Sequence, residues 1–191
     1  WSPQNFDNQS RGAMPVVDVL TYSRNQGTAR LGLDVGLDKV AGTMNTLGVT
    51  RNIPLYPSIL LGSLELTPFE VAMMYQPLST GGFSTRLRSI TDVLDKDGKP
   101  LARYPVSTDE VVEAGPAFLT QWAMQQVVEK GTARSARAYL PKDLKVAGKT
   151  GTTSVQSVLA AGAWSTAAGA GGALIAVGFW AEGRTTSNRI R

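Results

Sequence analysis

The sequence predicts an α+β domain, and three observations carry that expectation. Helical periodicity with recognisable end signals recurs from Leu37 to Leu47, from Thr67 to Leu78 and from Gly115-Pro116 to Val128. Strand-like runs, Ser89 to Leu94 and Pro100 to Tyr104, flank the polar turn Asp95-Lys96-Asp97-Gly98, the pattern of a surface hairpin. Val146-Ala147 then leads as a strand into a glycine- and threonine-rich turn, and Ala173 to Trp180 reads as another strand. At 191 residues, with 42% hydrophobic and 18% charged, the chain is long and apolar enough for one domain with its own core.

Taken in order, the chain opens with an Asn-, Gln-, Ser- and Gly-rich stretch to Pro15 that predicts an extended loop. Val16 to Tyr22 has helical spacing and should break at Ser23-Arg24-Asn25, because serine and asparagine side chains compete for the backbone. Leu37, Val40, Ala41, Met44 and Leu47 share one helical face, and Gly48 supplies the stop. Thr67-Pro68-Phe69-Glu70 is the strongest local signal: Thr67 as N-cap, Pro68 at the first helical position, and Glu70 reaching back to complete a capping box. That helix should stop at Gly81-Gly82. Phe118, Leu119, Trp122, Met124, Val127 and Val128 give the third helix a broad apolar face, which predicts that it is largely buried and ends by Gly131. Thr132 to Asp143 reads as a basic, irregular connection, and the Ala/Gly segment before Ala173 as flexible chain. The charge-free stretch from Val158 to Ala181 has the length of a bilayer span, but its alanines, glycines and serines are too weakly apolar to predict one.

Composition removes several function classes. With no histidine and no cysteine, a Ser-His-Asp triad, a cysteine nucleophile, a disulfide framework and the commonest zinc sites are all excluded, so nucleophilic chemistry would need lysine as its base. The 19 Lys+Arg and 15 Asp+Glu leave a net charge of +4 without the dense basic run of a nucleic-acid footprint. The first residues show no basic region followed by an apolar one, hence no secretory signal.

The most chemically suggestive stretch is Val146-Ala147-Gly148-Lys149-Thr150-Gly151-Thr152-Thr153. Glycines admit a ligand to the backbone, lysine supplies a point charge and hydroxyls both donate and accept, a composition suited to a carboxylate or an oxyanion. It is not a phosphate-binding loop: that pattern requires glycine five positions before Gly148, where Asp143 stands. Ser23-Arg24-Asn25 at a helix break and Lys149-Thr150-Gly151 on a distant strand are two of the three elements of penicillin-recognising serine enzymes.

Further segments point the same way: Asn5-Phe6-Asp7, the run from Leu61 to Ala72, Met124 to Val128 and Gly131-Thr132-Ala133. The chain resembles the transpeptidase domain of class A, bifunctional penicillin-binding proteins, in particular their type-1b branch, over about Trp1 to Thr153. The resemblance implies the penicillin-binding protein/serine β-lactamase-like fold, a mostly antiparallel sheet flanked by helices, here incomplete. It divides the chain into a partial transpeptidase domain, 1–153, and a divergent tail, 154–191, that would supply remaining sheet strands.

The resemblance also implies roles. A serine in a Ser-x-x-Lys motif would attack the D-Ala-D-Ala carbonyl of a peptidoglycan stem peptide, expel D-alanine and pass the acyl group to an amine on a neighbouring stem. Ser23 would relay a proton, Asn25 would hold the substrate amide, and Lys149 would add positive potential. Thr150, Gly151, Thr152 and Thr153 would bind substrate, with Thr150 and Thr152 on its terminal carboxylate and the Thr152 amide in the oxyanion hole. β-Lactam antibiotics would be trapped as mimics of that peptide. No cofactor or metal is implied, the location would be the periplasmic face of the bacterial inner membrane, and membrane attachment would come only from an upstream anchor.

Two departures matter. No Ser-x-x-Lys occurs in this sequence, so the nucleophile and its lysine are absent and the chain alone should be inactive. After Lys149-Thr150-Gly151 the family pattern fades, leaving Val177-Gly178-Phe179-Trp180 as an echo of its last strand. Two further readings stay open on sequence grounds: a non-catalytic module that binds stem peptides or partner proteins, and a D,D-carboxypeptidase or β-lactamase-like hydrolase.

Overall fold

The computed structural model describes residues 1–141, 143–151, 160–168 and 172–180, the last two as backbone strands. Residues 1–15 form no helix or strand, as their composition predicts. Helices α1 (Val16–Thr21), α2 (Asn25–Val35) and α3 (Leu37–Thr46) follow in close succession. Gly36, at φ 103°, makes the corner between α2 and α3, and Gly48, at φ 110°, follows the end of α3 where the sequence places the stop. A short 3-10 helix, Pro57–Leu61, precedes α4 (Pro68–Ser79).

The start of α4 has the predicted capping box. Thr67 Oγ1 accepts from the Glu70 amide at 3.2 Å, and Glu70 Oε2 accepts from the Thr67 amide at 2.8 Å. Arg51 closes on the same carboxylate from Nε and Nη2, both at 2.9 Å, tying the loop before the 3-10 helix to α4. At the other end, buried Gln76 accepts from the Thr85 amide at 2.9 Å and donates to Thr85 Oγ1 at 2.8 Å, which fixes strand β1 (Phe83–Thr85) on the helix. The hairpin is β2 (Asp92–Leu94) with β3 (Pro100–Arg103), its turn held by Asp95 Oδ1 accepting from the Asp97 and Lys99 amides. Strand β4 (Thr108–Glu110) pairs antiparallel with β1.

Helix α5 (Ala114–Glu129) carries the main core. Ala117, Met124, Val127 and Val128 are buried, whereas Phe118 and Leu119 are 63% and 62% exposed. The helix is therefore half-buried rather than largely so, because the inward face is the line through positions 117, 124 and 128, and residues 118, 119 and 122 point away from it. A 3-10 turn, Arg134–Tyr139, occupies the connection to β5 (Val146–Ala147). Strands β6 (Ala160–Ala168) and β7 (Gly172–Trp180) complete an antiparallel sheet in the order β5-β6-β7, with Val146 opposite Thr166 and Ala160 opposite Trp180. The expectation of flexible chain before Ala173 is corrected: β6 takes its extended conformation from pairing with a neighbour on each side, despite residues of low strand propensity.

Two apolar clusters hold the helices together. Ala41, Val49, Ile53 and Ile59 gather α3 and the 3-10 helix. Val127, Val128, Ala133 and Val146 join α5 to β5, with Leu20 of α1 packed against them. Helices and antiparallel sheets share one chain, the α+β class the sequence predicts.

Candidate active site

The second cluster places two loops side by side. After α1, Ser23 donates its amide to the Leu20 carbonyl at 3.2 Å and Arg24 donates to Val19 at 2.9 Å. This tight turn puts Ser23 at φ 53°, the left-handed region that costs a non-glycine residue ~1–2 kcal/mol. Contacts to the N-terminal strap hold it: Arg24 Nη1 bonds Asp7 Oδ2 at 2.7 Å, and Asn25 Nδ2 donates to the Gln4 carbonyl at 2.8 Å. The guanidinium of Arg24 and the Gln9 amide keep the Asp7 carboxyl below its usual range. Neither Ser23 nor Asn25 caps a helix; the N-cap position of α2 is Arg24, without a side-chain bond.

Strand β5 delivers the other loop. The Gly148 amide donates to the Met124 carbonyl of α5 at 3.3 Å, fixing the strand's end against the helix. Lys149 then folds back so that Nζ donates to Ser23 Oγ at 2.7 Å and to the Thr150 carbonyl at 2.8 Å. Residues 126 positions apart thus touch. Burial pushes the Lys149 pKa down to about 8, because no carboxylate among the described residues pairs with it to offset lost hydration. Near that pH the nitrogen exists in both protonation states and can exchange a proton with the Ser23 hydroxyl; below it, the ammonium polarises that hydroxyl.

Of the residues the sequence nominates, Ser23, Lys149 and Thr150 come together. The Asn25 side chain is engaged by Gln4, and Gly151 is exposed at the end of the loop. Thr152 and Thr153 lie outside the described residues. Sequence reasoning missed what joins the two loops. Thr132 donates its amide to the Thr21 carbonyl at 3.2 Å, and its hydroxyl meets the Thr150 hydroxyl at 2.5 Å. The preceding Gly131 lies so close that a Cβ there would stand 2.2 Å from the Thr21 carbonyl oxygen. A glycine-threonine pair directly after a helix was the visible signal, but sequence periodicity does not report a contact between two backbones. Among the described residues no group of acidic side chains is arranged to hold a metal ion.

Known proteins resemble this chain in sequence and in fold. The family model described as penicillin binding protein transpeptidase domain matches residues 1–184. Penicillin-binding protein 1B of Vibrio cholerae is 42% identical over 154 residues, which are 80% of this chain and 20% of that protein. Penicillin-binding protein 1B of Escherichia coli is 43% identical over 156 residues, 80% of this chain and 18% of that protein. The chain therefore spans about a fifth of the length of these relatives. In fold it is similar to penicillin-binding protein 1A from Haemophilus influenzae, with TM-score 0.78 and 22% identity over 86% of this chain and 30% of that one. The D,D-transpeptidase domain of a peptidoglycan glycosyltransferase from Eggerthella lenta gives TM-score 0.70 and 18% identity, over 85% of this chain and 47% of that one.

Proposed function

This chain belongs to the penicillin-binding protein transpeptidase domain family, and from that premise we propose that it forms one wall of a serine D,D-transpeptidase site. The observation that carries the reading is the 2.7 Å bond from Lys149 Nζ to Ser23 Oγ. It supports a single site built from two sequence-distant motifs.

The attacking serine and its own lysine come from outside this sequence, which holds no Ser-x-x-Lys. In the acylation step that serine's oxygen bonds to the penultimate D-alanine carbonyl, the peptide C–N bond breaks, and D-alanine leaves with the serine's proton. Ser23 passes that proton along, held in place by Lys149. An amine nitrogen of a second stem peptide then bonds to the acyl carbon, the ester C–O bond breaks, and the amine's proton passes to the serine oxygen, restoring the nucleophile. Thr150, with Gly151, Thr152 and Thr153, receives the substrate's terminal carboxylate, and Asn25 turns from Gln4 to the substrate amide. β-Lactams, which carry a carboxylate and a reactive carbonyl, enter the same site. Peptidoglycan substrate places this work in the periplasm, and no helix among the described residues is long and apolar enough to cross a membrane.

Labelling with a fluorescent penicillin tests the reading. The 191-residue chain should take no covalent label, and a full-length protein carrying this sequence with a Ser-x-x-Lys segment should take one that Lys149→Ala or Ser23→Ala lowers by about a hundredfold. Near-normal labelling of both variants would remove these residues from the site.

A further inference from the structure

We infer that Thr132 is a positioning residue for the carboxylate subsite: it holds the Thr150 hydroxyl with its proton directed at the substrate and sets the spacing between the Ser23 and Lys149 loops. The inference rests on the transpeptidase reading of Ser23, Lys149 and Thr150 and extends it to a residue outside those motifs.

The backbone of Thr132 is fixed on both sides. Gly131, just before it, donates its amide to the Val127 carbonyl at 3.1 Å and presses against Thr21 where a side chain would not fit. Ala133, just after it, is buried and donates to the same Val127 carbonyl at 3.1 Å. Between them, the Thr132 amide bonds Thr21, two residues before Ser23, and the hydroxyl bonds Thr150, next to Lys149. One exposed residue just after α5 therefore touches both loops.

Proton direction follows from hydrogen-bond chemistry. In the unliganded pair either hydroxyl can donate. A carboxylate only accepts, so once one arrives the Thr150 proton must point to it. Thr150 then has a lone pair to offer, and Thr132 becomes its donor, giving the chain Thr132 to Thr150 to carboxylate. Chains of this kind strengthen each member, and a hydroxyl already fixed in orientation need not be ordered on binding.

The test uses a full-length protein that carries this sequence together with a Ser-x-x-Lys segment. Acylation is measured with benzylpenicillin and with its methyl ester, separating the binding constant from the maximal acylation rate. Thr132→Val, nearly isosteric, should weaken binding of benzylpenicillin about tenfold while the maximal rate stays within about twofold and the ester is unaffected. Thr132→Ser should restore wild-type binding. Equal losses for both ligands, or no rescue by serine, would overturn the proposal by making Thr132 a merely structural contact. Wild-type behaviour of Thr132→Val beside impaired Lys149→Ala and Thr150→Val would refute Thr132 alone; wild-type behaviour of all three would refute the site reading and this inference with it.

Discussion

Lys149 is a cation removed from water without a carboxylate beside it among the described residues, and its titration follows. Because burial lowers its pKa from 10.5 to about 8, the folded protein binds fewer protons than the unfolded chain between those values. The sign is that this group's effect on stability becomes more favourable as pH rises across that window. Function runs the other way: if the ammonium polarises Ser23, acylation should decline as pH passes about 8, and Lys149→Arg should remove that alkaline limb; a pH–rate profile reads both. Gly131 is the other residue on which the geometry turns. Gly131→Ala drives a methyl group into the Thr21 carbonyl, backbone against backbone, so one loop must shift. It should cost ~1–3 kcal/mol in a denaturant melt and lower acylation, whereas an exposed substitution such as Tyr139→Ser should do neither.

Helix α4 shows which elements can be read from sequence. Its capping box is local, set by residues three apart, and the observed start matches the predicted one. Thr67→Ala should cost about 1 kcal/mol in thermal or chemical unfolding. The Thr67 amide, the Thr67 hydroxyl and then Arg51 hold the Glu70 carboxyl below the usual glutamate value of 4.5, so this ion contributes stability above that pH. The contribution disappears as pH falls through the lowered value, and Glu70→Gln should flatten the acid side of the stability profile. Helix α2 was illegible for the opposite reason. Its glycines at 27 and 32 argue against a helix, yet a Cβ on Gly27 would meet Val19 at 2.7 Å and one on Gly32 would meet Leu60 at 2.3 Å. Close packing of neighbouring elements selects those glycines, and that information sits outside the local window. Strand β6 escaped for the same kind of reason, since its partners on both sides impose it. In the candidate site, Ser23, Lys149 and Thr150 were legible as motif chemistry, while Thr132 stood out only within the segment Gly131-Thr132-Ala133, because its contacts to both loops are made across the fold.

Across the whole molecule, the cluster of Val127, Val128, Ala133 and Val146 is core, and it also underlies the two loops of the candidate site. Val127 is fully buried, and Val127→Ala should cost about 2 kcal/mol and weaken penicillin acylation together with stability, a coupling that paired melts and labelling assays would detect. The contact between Ser23 and Lys149 closes a loop of most of the chain's length. A contact so distant in sequence should form late in folding, after the helices around it, since the entropy of closing the loop is lost before the contact returns anything. The Thr132 amide, bonded to the Thr21 carbonyl across that closure, should therefore exchange on global opening rather than on local fraying. Its hydrogen exchange would read the free energy at which the two halves of the site come apart.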